Sequence, residues 1–142
     1  MKIRRLVRLT LLLGLFALWC PRFAAATPSD VYWHIPGTHP VIFVHGGAGS
    51  GMQFASQAMR FETNFYPAEY IYVHEYDSRF TIETMEQVWA RLDQLIADIK
   101  DKTGADQVDV LGHSLGTMVM HGYLATASRA ANVAHYVNID GR

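Results

Sequence analysis

The sequence predicts an α/β protein whose sheet is mostly parallel and doubly wound. Three observations carry this expectation. Short runs rich in β-branched and apolar residues recur at 41–44, 70–76, 107–111 and 133–139. Stretches with helical apolar spacing lie between them, the longest at 81–102. Two of the strand-like runs pass straight into glycine-bearing turns that helix-like sequence follows, at 45–51 and 112–116.

The elements follow in order. Lys2, Arg4, Arg5 and Arg8 form a basic start, residues 9–19 an apolar core, and Phe23-Ala24-Ala25-Ala26-Thr27 a small-residue cleavage site. This is the pattern of a secretory signal peptide over 1–26, so a secreted or periplasmic protein is expected. The apolar run falls short of the roughly twenty residues a spanning helix needs, and Pro21 ends it, so no stable membrane anchor is expected after cleavage. Cys20 is the only cysteine, and Trp19 before it does not suit a lipoprotein box. Without Cys20 the mature chain has no disulfide and no cysteine pair for structural zinc.

Cleavage after Ala26 would leave seven Lys/Arg against thirteen Asp/Glu, a formal charge of −6 over 27–142. An acidic surface of this kind argues against nucleic acid as a partner and is compatible with a neutral ester or lipid.

Residues 31–35 read as an edge strand closed by Pro36-Gly37, and 41–44 as the first buried strand. A helix is expected over 52–61 and the next strand over 70–76. The clearest helix, 81–102, carries Ile82, Met85, Val88, Trp89, Leu92, Leu95, Ile96 and Ile99 on one face, with Gly104 as its stop; Met85 and Trp89 are read as core. A buried parallel strand over 107–111 ends on Gly112. Leu115, Met118, Val119, Gly122 and Tyr123 then recur at helical spacing, and 133–139 forms the last strand.

Gly112-His113-Ser114-Leu115-Gly116 therefore sits between a strand and a helix, and matches the Gly-x-Ser-x-Gly nucleophile elbow. It nominates Ser114 as a catalytic nucleophile. The turn should strain the serine backbone, and a Cβ at Gly112 or Gly116 should crowd the adjoining strand or helix. Upstream, His45-Gly46-Gly47-Ala48-Gly49-Ser50-Gly51 follows strand 41–44. Its glycine spacing is wrong for a dinucleotide fingerprint, and it lacks the Gly-Lys-Ser/Thr of a P-loop.

The order strand, His-Gly loop, long gap, Gly-x-Ser-x-Gly resembles the α/β-hydrolases, and among them the small secreted bacterial lipases and esterases, from about residue 38 to 141. The resemblance implies a serine hydrolase of carboxylic esters with no cofactor, acting on a small-molecule ester or lipid. It implies an oxyanion hole built from the N–H groups of Gly47 and Leu115. His45, Gly46, Gly112, His113 and Gly116 would support the two motifs, His45 by shaping its turn.

In this family the triad runs Ser, acid, His, with the histidine beyond the last strand. The chain given ends at Arg142, so the resemblance implies an N-terminal fragment with a C-terminally incomplete sheet of about five or six strands, inactive by itself. Asp140, after the last strand, is a candidate triad acid, since some members place it there; most, including the small secreted bacterial lipases, place it one strand later, and the other reading of Asp140 is a turn-forming Asp-Gly. Asp77, at a similar edge but before Ser114 in the chain, is read as a loop residue lining the pocket.

The remaining histidines offer no substitute base. His121 lies two helical turns past Ser114, about 10 Å away. His135 is read on the same strand face as Val133 and Val137. His34, His39 and His74 show no ligand spacing, and no metal site is expected, because no pair has a helical zinc-motif arrangement. Other chemistries of the same fold (acyl transfer, thioester or peptide hydrolysis) and a non-catalytic exported binding protein remain alternatives.

Overall fold

In the computed structural model, which describes residues 37–141, the sheet is built around Val41–Val44 (β1), a strand buried on both faces. A 3₁₀ turn at Gly51–Phe54 leads into Ala55–Thr63 (α1), and a second 3₁₀ turn at Ala68–Tyr70 into Ile71–His74 (β2). Then come Met85–Thr103 (α2), Val108–His113 (β3), Leu115–Leu124 (α3), the single turn Ala127–Ala130 (α4) and Val133–Ile139 (β4). The signal-peptide segment 1–26 and the expected strand at 31–35 lie outside the described residues. Within them the strands number four, all parallel, in the order β2-β1-β3-β4.

Alternation along the buried strands sends side chains to two cores. Ile42, Val44, Val108 and Val110 pack with Val88, Leu92, Ile96 and Ile99 of α2 and with Val119, Met120 and Tyr123 of α3. Val41 and Phe43 point the other way, onto Phe54, Phe61 and Tyr66; the Phe43 and Phe54 rings stack at 4.7 Å. The sheet is therefore covered on both faces, as expected of a doubly wound fold.

Where α2 crosses α3, the Trp89 ring occupies the space a Cβ on Gly122 would need, and its Nε1–H donates to the Val119 carbonyl at 2.8 Å. Trp89 and Met85 do pack against this core.

Helix α2 starts later than its apolar spacing suggests. The Asp77 carboxylate accepts the amides of Arg79, Thr81 and Ile82, which fixes 77–82 as a turn and leaves Ile82 85% exposed, off the apolar face. Thr84 and Gln87 then form a capping box that begins the helix at Met85. At the other end Gly104 adopts φ 71°, the left-handed cap its position predicts.

Tyr70 falls in a turn and not in β2, β3 begins at Val108 and extends through His113, and the helix expected at 52–61 opens as a 3₁₀ turn and runs to Thr63. Met118, one of the residues at helical spacing in α3, is 58% exposed.

One correction concerns β4. Val108 pairs with Val133, but Asp109 pairs with His135, so β4 carries a bulge at Ala134. The extra residue flips everything after it. Val133 packs on the α2–α3 core beside Val108, whereas His135 joins Asp109 on the opposite face and no longer shares a face with Val133.

Candidate active site

The end of β3 and the start of α3 are separated by one residue, Ser114, at φ 51°, ψ −117°. A non-glycine residue in this region is strained by about 1–3 kcal/mol and persists only where its surroundings hold it. Those surroundings are specific. The Ser114 N–H donates to the Ile139 carbonyl at 2.9 Å, and its own carbonyl accepts from the Thr117 amide at 2.9 Å and the Thr117 hydroxyl at 2.6 Å. A Cβ on Gly116 would lie 2.3 Å from the Val44 carbonyl oxygen, and one on Gly112 would lie 3.0 Å from the Gly116 oxygen. Helix α3 can approach β1 and β3 this closely because both positions are glycine.

The loop after β1 abuts this elbow. A Cβ on Gly46 would meet His113 Nδ1 at 3.0 Å and Ser114 Cβ at 3.2 Å, and one on Gly47 would touch the Leu115 side chain at 3.7 Å. The loop turns on Ala48, at φ 52°, closed by a 3.2 Å bond from the Gly49 N–H to the Gly46 carbonyl. Most of its amides have acceptors: Gly46 N–H donates to Gln53 Oε1 at 3.1 Å, Ala48 N–H to Ser78 Oγ at 2.9 Å and Gly51 N–H to Glu75 Oε1 at 2.6 Å. The exposed Gly47 N–H has no acceptor among the described residues. The Leu115 N–H, first in its helix, has no intrahelical acceptor either.

His45 is fully buried; its Nδ1–H donates to the Gly46 carbonyl at 2.9 Å, which leaves Nε2 to accept the Tyr76 amide at 3.4 Å. Its ring stacks on Tyr76, whose hydroxyl donates to the His45 carbonyl at 2.8 Å and is pushed up to about 12 by burial. His74 continues the stack below Tyr76 and donates Nε2–H to the Val88 carbonyl at 3.1 Å; burial, aided by the Arg91 charge, pushes it down to about 4.

A cleft of about 320 Å³ opens at Ser114, lined also by Leu115, Met118, Asp140 and Gly141. Asp140, at φ 53°, is thus beside the serine. Asp77 is not on this wall. Its carboxylate is spent on the 77–82 turn, and the bonds from Ile82, Thr81 and Arg79 hold it down at about 2.

No described histidine hydrogen-bonds to Ser114. His113 pairs with Gln53, the exposed His121 of α3 lies 3.4 Å from Asn138 of β4, and His39 and His135 both face Asp109. That last cluster, drawn from three separate segments, had no local spacing to announce it. Gln53, which joins the loop to the elbow, was likewise unmarked by any motif.

A family model described as lipase (class 2) matches residues 38–133, a stretch that contains both the loop and the elbow and ends before Asp140. No curated protein matches the chain.

Proposed function

This chain belongs to the class 2 lipase family, an assignment that carries lipase- or esterase-like hydrolysis of carboxylic esters, and on that premise we propose that Ser114 is its nucleophile. Ser114 Oγ attacks the acyl carbonyl carbon. Its proton passes to a histidine other than those described, because each of them is engaged elsewhere or lies too far along its element. The carbonyl oxygen becomes an oxyanion between the N–H groups of Gly47 and Leu115. Collapse expels the alcohol with that proton, and water then releases the acid from the acyl-serine by the same steps. Asp140, on the cleft wall, is the described carboxylate best placed to orient the histidine. Residues 1–26 direct export and are removed.

The observation that carries the reading is the pairing of a strained serine at a strand-to-helix turn with an adjacent loop in which the amides on either side of Gly47, those of Gly46 and Ala48, are taken up by side chains while that of Gly47 is not. A missing oxyanion donor typically costs about 3–4 kcal/mol in the transition state, so two preset donors are a substantial share of catalysis.

A fluorophosphonate probe and a short-chain nitrophenyl ester, applied to protein expressed from its native gene, test the proposal. Labelling and hydrolysis are expected to vanish together in Ser114→Ala. Hydrolysis at the full rate in that variant would refute it, and mass analysis of the exported protein should find Thr27 as its first residue.

A further inference from the structure

We propose that His39, Asp109 and His135 form a zinc site at the end of the sheet opposite Ser114. Asp109, the second residue of β3, and His135, the third of β4, are register partners, and His39 lies two residues before the neighbouring β1. Both rings turn a Nδ1 toward the same carboxylate oxygen, Asp109 Oδ1, at 3.4 Å from His39 and 2.8 Å from His135. One ligand atom from each residue lies within 4.8 Å of the others.

Two imidazoles and one carboxylate on three fixed strands, with a side open to water, match the donor set of a three-ligand zinc site that keeps a position for water. With zinc bonds of about 2.0–2.1 Å, tetrahedral ligand atoms stand about 3.4 Å apart, so the His39–Asp109 pair already has this spacing and the cluster needs only a modest adjustment in which the 2.8 Å His135–Asp109 contact opens. His135 can supply it, its side chain being 72% exposed.

The backbone is shaped to this end. Without the bulge at Ala134, His135 would pair with Val110 and point into the α2–α3 core; the extra residue places it on Asp109. His39 is held from the other side, where the Tyr66 hydroxyl donates to its carbonyl. Asp109 and Ser114 are five residues apart along β3 and its turn, about 16 Å at strand rise, so the ion would staple β1, β3 and β4 and take no part in ester chemistry.

Calorimetric titration of untagged protein with zinc chloride is expected to show one saturable site, weakened at least tenfold in His135→Ala and in Asp109→Asn and unchanged in His121→Ala. Cobalt(II) should give the visible bands of a four-coordinate ion with the wild type and lose them in His135→Ala. Because His135 is a surface side chain, the zinc-free melting temperature of His135→Ala should match the wild type, while zinc raises only the wild-type value. Absence of saturable binding, or binding that survives His135→Ala and Asp109→Asn, would overturn the proposal.

Discussion

Gln53 Nε2 lies 2.8 Å from His113 Nδ1, and the oxygen of the same amide accepts the Gly46 N–H at 3.1 Å. One side chain therefore ties the loop after β1 to the residue immediately before Ser114. With its oxygen committed to Gly46, the amide can only donate to His113, which fixes Nδ1 as an acceptor and places the ring proton of neutral His113 on Nε2.

Gln53→Ala should cut kcat by roughly tenfold to a hundredfold with little change in KM, because it frees the loop that aims Gly47 without touching the cleft wall. Gln53→Glu keeps an acceptor for Gly46 but loses the donor to His113, so it should fall between. Steady-state ester hydrolysis measures both. A rise in KM at constant kcat would mean that Gln53 serves substrate binding instead.

Gly116→Ala should be far more damaging than Gly112→Ala. At 116 the new methyl meets backbone oxygen of Val44 at 2.3 Å and of His45 at 2.7 Å, and neither can rotate away; at 112 the closest approach is 3.0 Å. Urea unfolding should show a loss of about 3 kcal/mol or more for the first and about 1 kcal/mol for the second. Equal losses would show that α3 slides to accommodate either methyl.

Much of this architecture is legible in the residues themselves. The 133–139 run has the same limits in the structure, and the elbow is announced by glycines at 112 and 116, because short apolar runs and glycine contacts are local signals. The missed features depend on partners distant in sequence. Ile82 fits the helical stripe, yet the Asp77 side chain removes its amide from the helix. His135 follows strand alternation from Val133 until a bulge, set by pairing with β3, reverses its face. Gln53 has no meaning as a residue until the loop and the elbow meet across sixty positions.

Stability should fall as pH drops from about 6.5 toward 4 because of His74. Its folded pKa of about 4 lies below the ordinary 6.5, so the unfolded chain binds the proton more readily. The contribution is complete above 6.5, shrinks by up to about 1.4 kcal/mol per pH unit through this window, and levels off below 4. Arg91, Glu83 and His45 share this environment, so the comparison is with His74→Leu, whose unfolding free energy should lack this part of the slope. Parallel curves for the two proteins would contradict the burial argument.

Ala48→Gly separates stability from activity at the loop. Ala48 holds φ 52°, which costs an L-residue about 1–2 kcal/mol, whereas glycine's greater freedom in the unfolded chain costs about 0.4–1 kcal/mol. The strain is the larger effect, so the variant should be more stable by up to about 1 kcal/mol in urea. The left-handed residue also sets the direction of the preceding peptide, and the Ala48 N–H bond to Ser78 Oγ is the loop's first tie after Gly47. Glycine can leave this conformation at little expense, so the Gly47 N–H loses part of its fixed aim, and ester hydrolysis should slow severalfold in a protein that melts higher. A variant that is less stable by 1 kcal/mol or more would show that Ala48 is not strained; one that is more stable and fully active would show that the turn does not position the donor.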